Sequence, residues 1–441
     1  MFLFWKMSGE TLIRNRLSFT IGLLIMESDI QDITLGELGK IRMEWDSNQM
    51  PVLNSIKTRF AKERPFQNLR VGVCLHISTK TANLVTTIKA GGADPIVCAS
   101  NPLSTQDDVA ASLVKHHDIP VFAKRGEDSK TFRRHLQTIL EAKPDILIDD
   151  GADLITTVHS THSQHIDKII GGTEETTTGI NRLRSMVKKD ALTFPVIAVN
   201  ESRTKHLFDN RFGTGQSALD GIIRATNHLI AGKTVVVCGY GWCGRGVASR
   251  ARGLGANVIV TEIDPVSALE AAMDGYRVIP MEEAASQGNL FITVTGNCKV
   301  INRKHFEVMK DNTILANAGH FDVEIDLVEL NKMSAGKRPV REFVEEYTLT
   351  EGRKIHVLGK GRLVNLVAGE GHPAAVMDLS FANQSLAAEY LVKNQLEPGI
   401  HKLSDELDIE IAQTKLESMG MSCDIITPTQ KEYLENWEHI N

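Results

Sequence analysis

The 441-residue sequence contains no CxxC pair, and no spacing of its cysteines and histidines reads as a zinc site. Its six cysteines, Cys74, Cys98, Cys238, Cys243, Cys298 and Cys423, are scattered, several of them in apolar strand-like runs. That pattern argues against a disulfide framework and for buried free thiols, hence a reducing compartment, the cytoplasm. No basic block or tail is present and the formal net charge is −6. Nucleic acid is excluded as a main partner, because phosphate binding needs clustered Lys and Arg. No apolar run is long enough to span a bilayer: Leu17–Met26 (LSFTIGLLIM), which follows Arg14 and Arg16, is too short, and no small-residue cleavage site follows it. Residues 1–25 read as an extension from an upstream start codon, with the folded protein beginning near Met26. Internal repeats and low-complexity linkers are also missing. What remains is 42% hydrophobic and 24% charged, the composition of a globular chain of two or three domains.

Two α/β blocks stand out. In the first, from about Leu69 to Asn200, strands are expected at Leu69–Ser78, Asp94–Ser100, Ile119–Ala123 and Pro144–Asp150, with helices at Thr81–Ala90, Gln106–Lys115 and Phe132–Ala142 between them. Short apolar runs alternating with helical patterns predict a parallel sheet with right-handed crossovers. Ser78, Ser100 and Asp150 fall at carboxyl strand ends, where such sheets bind ligands. The second block has strands at Lys233–Cys238, Asn257–Thr261, Leu290–Thr295 and Thr313–Ala316, with a helix over Val247–Leu254. A smaller piece from about Pro373 onward reads as helices. The expected class is therefore α/β, two doubly wound Rossmann-like domains with a small helical C-terminal piece.

Gly239-x-Gly241-x-x-Gly244 follows a strand and opens a helix. The first glycine makes the turn, the second lets backbone approach a pyrophosphate, the third lets helix and strand pack closely, and the helix N-terminus offers free N–H groups. Glu262 ends the next strand, where an acid accepts hydrogen bonds from the adenosine ribose and repels a 2′-phosphate. The cofactor expected is NAD rather than NADP.

Other polar clusters are weaker taken singly. Asp149 and Asp150 end an apolar strand, Glu174 and Glu175 precede three threonines, and Lys205 and Asp209 share a helical face at i, i+4. His76, His320 and His372 sit in short glycine- or strand-flanked segments. Each has a bland reading: acids that cap helices, a solvated surface ion pair, structural histidines. Together, beside strand ends of two α/β domains, they point to an NAD enzyme acting on a hydroxylated small molecule in an interdomain cleft. They do not name the substrate.

The run from Gly239 to Asp326 closely resembles the adenosylhomocysteinase family, as do CLHISTKTANL at Cys74, SNPLSTQDD at Ser100, IDDGADL at Ile148, GGTEETTTG at Gly171, NAGHFDVEID at Asn317 and GRLVNLVAGEGHP at Gly361. The likeness runs from about residue 30 to 437 and looks archaeal or bacterial rather than animal. It implies reversible hydrolysis of S-adenosyl-L-homocysteine to adenosine and L-homocysteine, in the methyl cycle. The ribose 3′-hydroxyl is oxidised at the expense of bound NAD⁺, the ketone acidifies C4′–H, homocysteine leaves C5′, water adds, and the ketone is reduced again.

By that likeness Lys205 and Asp209 contact the 3′-hydroxyl, with Lys205 its base if its pKa is lowered. Glu175 holds ribose hydroxyls, Asp150 and His76 move protons at C4′ and C5′, and His320 supports the leaving group and water. Ser78 and Lys80 contact substrate, and His372 gates the homocysteine channel. Asn365, beside His372, holds the cofactor or substrate, and Thr176, Thr177, Thr178, Asn210, Thr295, Ala318, Gly319 and His320 line the nicotinamide half of the NAD site. Gly239, Gly241, Trp242, Cys243, Gly244, Arg245, Gly246, Glu262 and Ser267 hold the rest of the cofactor. No metal is implied.

The likeness also implies a homotetramer and a division into a substrate-binding domain (26–208 plus 373–404), an NAD-binding domain (209–372) and a C-terminal oligomerisation segment (405–441).

Three departures stand out. Lys80 replaces a glutamate that reaches the adenine amino group in the animal-type pattern. An ammonium only donates, which would suit the O6 of hypoxanthine, so an S-inosyl-L-homocysteine substrate stays open beside the adenosyl one. Thr214 replaces a cysteine near the nicotinamide. The chain ends at KEYLENWEHIN, without the longer tail that enters a neighbour's NAD site. A non-catalytic NAD-binding relative and an ordinary dehydrogenase stay open as well.

Overall fold

The computed structural model describes residues 27–161 and 163–437, so the expected extension at 1–25 lies outside the described residues. The first sheet contains β1 (Arg70–Leu75), β2 (Asp94–Ala99), β3 (Val121–Phe122), β4 (Ile146–Asp149), β5 (Gly171–Glu174) and β6 (Pro195–Ala198). The second contains β7 (Thr234–Cys238), β8 (Asn257–Thr261), β9 (Arg277–Val278), β10 (Leu290–Thr293), β11 (Thr313–Asn317), β12 (Ser334–Arg341), β13 (Val344–Leu349) and β14 (Lys354–Leu358). One late strand, β15 (Gly399–His401), returns to the first sheet. The orders are β15-β6-β5-β4-β1-β2-β3 and β12-β13-β14-β11-β10-β7-β8-β9.

Every pairing in the first sheet is parallel, with Cys74 opposite Cys98. Helices cover both faces, which is why β1 and β4 read as unbroken apolar runs rather than alternating ones. The order reverses between β1 and β4 in this sheet and between β7 and β10 in the second. Such switch points open crevices at the carboxyl strand ends. They receive His76 and Asp150 in the first sheet, Gly239 and Thr295 in the second.

The structure corrects the sequence expectation in two places. The second sheet is extended by an antiparallel ladder of β12, β13 and β14 that the sequence did not disclose. The piece after Pro373 is not all helix, because β15 pairs with β6. The helix Asp405–Ser418 packs on the first body through buried Ile411, and the Asp408 carboxylate accepts backbone N–H groups of Arg203 and Thr204 at 2.6 and 2.8 Å. Cys74, Cys98 and Cys238 are buried free thiols, Cys243 is half-buried, and Cys298 and Cys423 are exposed. Among the described residues no helix is long and apolar enough to cross a membrane.

The first described residues are tied down beside β3. Asp29 bridges to Phe122, and its carboxylate meets Arg134 at 2.6 Å and His135 Nε2 at 3.0 Å, while the Glu127 carboxylate lies 2.8 Å from His135 Nδ1. Burial opposes charge on His135, but its two carboxylate partners outweigh it and raise the pKa above 6.5. A raised histidine contributes stability that is fully present below its unfolded pKa of about 6.5 and is lost as pH rises through the higher folded value. The melting temperature of wild type relative to His135→Gln should therefore fall as pH rises through that window. A difference that stays flat from pH 6 to 8 would contradict the assignment.

Candidate active site

The carboxyl ends of both sheets open into one cavity of about 830 Å³. It is lined by His76, Ser78, Lys80, Asp150, Glu175, Thr176, Thr177, Thr178, Lys205, Asp209 and Asn210 from the first body and the segment that leaves it. From the second come Gly239, Gly241, Trp242, Cys243, Glu262, Ser267, Thr295, Ala318, Gly319, His320, Asn365 and His372. Of the residues expected at the site, only Gly244, Arg245 and Gly246 do not line it.

Lys205 lies in the short helix Arg203–His206 and Asp209 opens a π-helical turn, Asp209–Gly213, that continues into the helix Thr214–Thr226. Single π turns recur at functional sites because the wider turn re-aims side chains. Here it carries Asp209 and Asn210, which face Lys205 across the cavity wall. Lys205 Nζ lies 3.3 Å from Asp209 and 3.6 Å from Glu175, and donates to Asn200 Oδ1 at 3.0 Å and Asn210 Oδ1 at 2.9 Å. The pair is buried, so it is not a solvated surface pair. Asp209 also meets His372 Nδ1 at 2.5 Å and accepts from Ser380 Oγ at 2.7 Å. Glu175 accepts from Gln384 Nε2 at 2.5 Å.

A second group lies across the cavity. His76 Nε2 is 3.2 Å from one Asp150 oxygen and His320 Nδ1 is 3.7 Å from the other. His76 Nδ1 faces Ser104 Oγ at 2.7 Å. Gly151, at φ 105°, leaves room for His320, since a Cβ there would lie 2.4 Å from His320 Nε2. Behind both groups, buried Glu174 accepts the N–H groups of Gly151, Ala152 and Thr176 at 2.9, 2.9 and 2.8 Å, fixing the loops after β4 and β5.

Burial drives the electrostatics. It pushes the pKa of His76 down to about 3, helped by the charge of His372, and that of His320 to about 4, with Asp150 opposing. Both imidazoles are therefore neutral at pH 7. Burial raises Asp150 against the pull of His320 and Lys205, and lifts Glu175 to about 8 although Lys205 opposes. Burial would raise Asp209 too, but Lys205 and His372 hold it well below the usual carboxylate range. For Lys205 burial would lower the pKa, yet Asp209, Glu175 and Asp150 raise it above an ordinary lysine. That is the reverse of the lowered value expected of a base, and its cause is three acids around one ammonium.

The second body fits a dinucleotide. Gly239 turns at φ 106°, Gly241 caps the helix Trp242–Gly253, and a Cβ on Gly244 would lie 2.0 Å from the Gly239 carbonyl oxygen, the close helix–strand packing the motif requires. Gly246 has a related packing role against the turn Asp209–Gly213, where its Cβ would meet Arg211 O at 1.7 Å. The guanidinium of Arg245 stacks 4.3 Å over Trp242 and pairs with Glu270 instead of entering the cavity. Glu262 accepts from the backbone of Tyr240, Ile263 and Asp264 at 2.5, 2.6 and 3.1 Å, which fixes its carboxylate at the cavity wall. Asn365 Nδ2 donates to Ser217 while its buried Oδ1 has no partner. Glu324 accepts from Thr295 N and Oγ1 and Gly296 N at 3.0, 2.8 and 2.8 Å, and Asn317 accepts from Gly319 N at 2.8 Å, so the loops after β10 and β11 are held from behind.

Thr176 caps the helix Thr177–Val187, Thr177 accepts from Asn200, Ser78 caps Thr79–Ala90, and Ser267 donates to Asp264. Cys243 Sγ and Thr214 Oγ1 are 3.5 Å apart. Lys80 is buried, donates to Glu370 O at 2.8 Å and lies 3.7 Å from Asp46. Sequence reading missed Asn200, Ser380, Gln384, Gly151 and Glu324. The signal that could have found some of them was the run of polar residues Asp378, Ser380, Asn383, Gln384 and Ser385 within one long helix, Ala374–Lys393, all of them buried.

Residues 210–371 match the family model "S-adenosyl-L-homocysteine hydrolase, NAD binding domain" and residues 27–168 match "S-adenosyl-L-homocysteine hydrolase". The chain is 58% identical over 414 residues to an adenosylhomocysteinase of Nostoc sp., covering 93% of this chain and 97% of that one. It is 57% identical over 415 residues to the adenosylhomocysteinase of Aquifex aeolicus, covering 94% and 99%. An S-inosyl-L-homocysteine hydrolase of Methanocaldococcus jannaschii is 54% identical over 411 residues, covering 93% and 99%. With both family models matched and near-complete coverage at this identity, the chain belongs to the S-adenosyl-L-homocysteine hydrolase family, with an NAD-binding domain of that family.

Proposed function

We propose that this chain reversibly hydrolyses S-adenosyl-L-homocysteine to adenosine and L-homocysteine, using bound NAD as a recycled group. One observation carries the reading: a single buried space joins a dinucleotide cradle, the Lys205–Asp209–Glu175 group and the His76–Asp150–His320 group. Two orphaned buried oxygens, Glu175 Oε1 and Asp150 Oδ1, await donors there, which ribose hydroxyls and water can supply.

NAD, when bound, supplies the acceptor for a hydride from the ribose 3′-carbon and the source of its return. Glu175 holds the ribose hydroxyls. Lys205, backed by Asp209 and held by Asn200 and Asn210, takes the 3′-hydroxyl proton. The positive charge of an oxidised nicotinamide, when bound nearby, would lower the Lys205 pKa toward the range where it can do so. Once the 3′-carbon is a ketone, C4′–H is acidic. Asp150 and His76 then move protons at C4′ and C5′, and neutral His320 supports the departing sulfur and the incoming water. His372 guards the homocysteine side, tethered to Asp209. Thr176–Thr178, Thr295, Ala318, Gly319 and Asn365 line the nicotinamide half, and Glu262 and Ser267 the adenosine half. A substrate-binding domain and an NAD-binding domain with the bounds expected from the sequence, a homotetramer built partly through 405–441, and a cytoplasmic location belong to the same proposal.

The adenosyl thioether is the favoured substrate, in line with the higher identity to relatives named adenosylhomocysteinase. Lys80, a donor on the cavity wall, is the one observation that favours an inosyl base. Comparison of kcat/KM for the two thioethers decides between them: the adenosyl thioether is expected to be preferred, and an inosyl preference of about tenfold, 1.4 kcal/mol, would reverse the choice. Lys80→Glu should move the ratio further toward adenosine by about 10-fold or more, the worth of one hydrogen bond to a charged group.

A further inference from the structure

His76, Asp150 and His320 come from three separate loops, yet their ligand atoms all lie within 4.8 Å of one another. The two imidazoles approach opposite oxygens of one carboxylate, His76 Nε2 at 3.2 Å from Asp150 Oδ2 and His320 Nδ1 at 3.7 Å from Asp150 Oδ1. Around a tetrahedral ion with bonds of about 2.0–2.1 Å, ligand atoms sit roughly 3.4 Å apart, so three atoms within 4.8 Å of one another need only a small side-chain adjustment to close on one ion. Asp150 Oδ1 is buried and makes no hydrogen bond, a free anionic acceptor aimed into the cavity. The other nitrogen of His76 faces Ser104 Oγ at 2.7 Å, the kind of outer partner that orients a ligating imidazole. Two imidazoles and one carboxylate match a borderline transition-metal dication, not Mg²⁺ or Ca²⁺, which need more oxygen ligands.

We propose that His76, Asp150 and His320 form an inhibitory binding site for a divalent ion of the zinc class, with a fourth position open to the cavity for water or the thiolate of homocysteine. The ion engages the atoms that would otherwise serve the substrate, so it competes with the thioether. A thiolate completes the coordination with a soft ligand, releasing its proton to the buffer, so homocysteine and metal bind better together than apart. The thiolate half rests on the function proposed for this chain; the metal half rests on geometry alone.

The test is equilibrium dialysis of Zn²⁺ against NAD-loaded, chelator-stripped protein. One ion per chain is expected, tightened about tenfold or more by homocysteine, because the added sulfur ligand is favourable. Asp150→Asn and His320→Gln should weaken binding at least about 100-fold, the upper end of what loss of a mere outer-shell partner costs. Cys298→Ser with Cys423→Ser, which removes the exposed thiols, should leave it intact. Co²⁺ in the unmutated protein gives a check that needs no variant: a tetrahedral visible spectrum that gains a sulfur-to-cobalt band on adding homocysteine. Absent binding, or binding indifferent to Asp150→Asn, overturns the site. Thioether hydrolysis in chelator without zinc binding refutes this site and leaves the function standing, whereas zinc binding without hydrolysis does the reverse.

Discussion

Lys205→Ala should leave NAD⁺ oxidised when thioether is added. Lys205 Nζ sits 3.3 Å from Asp209 and is placed by Asn200 and Asn210, so the proposed 3′-hydroxyl base is rigidly held and desolvated. A positioned base contributes about 10²–10⁴-fold, and formation of reduced nicotinamide should slow by about 10³-fold or more. The substitution also strips the shared counter-charge from Asp209, Glu175 and Asp150. Breaking a buried pair typically costs about 3–5 kcal/mol, so a fall in melting temperature should accompany the loss. Lys205→Arg separates the two effects: it keeps the positive charge, and with it much of the stability, but a guanidinium does not give up a proton and the oxidation stays slow. A variant of either kind that still shows the transient absorbance of reduced nicotinamide on mixing with thioether would remove Lys205 from this role.

Gly151→Ala should produce the complementary defect. The new methyl would lie 2.4 Å from His320 Nε2, so the imidazole has to leave its place beside Asp150. The positive φ of Gly151 adds a backbone penalty of about 1–2 kcal/mol, small against the stability of a domain. Lys205, Asp209 and Glu175 keep their contacts, so nicotinamide reduction on mixing with thioether should persist. Thiol release should fall about 10²-fold, the usual effect of moving a catalytic group by an ångström. Loss of both steps together would mean that Gly151 supports the fold rather than His320. Stopped-flow absorbance read beside a thiol reagent distinguishes the outcomes, and the pair of variants divides the cycle into its redox and elimination halves.

The parts of the fold that were legible in the sequence are those specified locally. β7, the glycine turn and β8 follow from apolar runs and three glycines whose spacing has a steric reason, and the structure shows that reason at Gly239 and Gly244. β5 was not legible: Gly171–Glu174 is buried like a central strand, but it is built of glycines and polar residues whose partners, Gln384 for Thr173 and the backbone of residues 151 and 152 for Glu174, are distant in sequence. β12 hid for the opposite reason, an exposed edge strand with hardly an apolar residue. β15 is three residues long and exists only because β6 offers an edge.

The candidate site residues were legible because a family resemblance supplied them. Residue types alone left Lys205 and Asp209 indistinguishable from a surface pair. The direction of the Lys205 pKa was not legible by either route, since Asp150, Glu175 and Asp209 converge on it only in three dimensions.

The central claim is that a hydride leaves one ribose carbon and returns to it within a single turnover. The most direct measurement mixes NAD-loaded protein with S-adenosyl-L-homocysteine and follows free thiol and reduced nicotinamide together. The account predicts many equivalents of thiol per chain, with reduced nicotinamide rising briefly and never exceeding one equivalent. No thiol at all, or reduced nicotinamide accumulating in step with product, would contradict it.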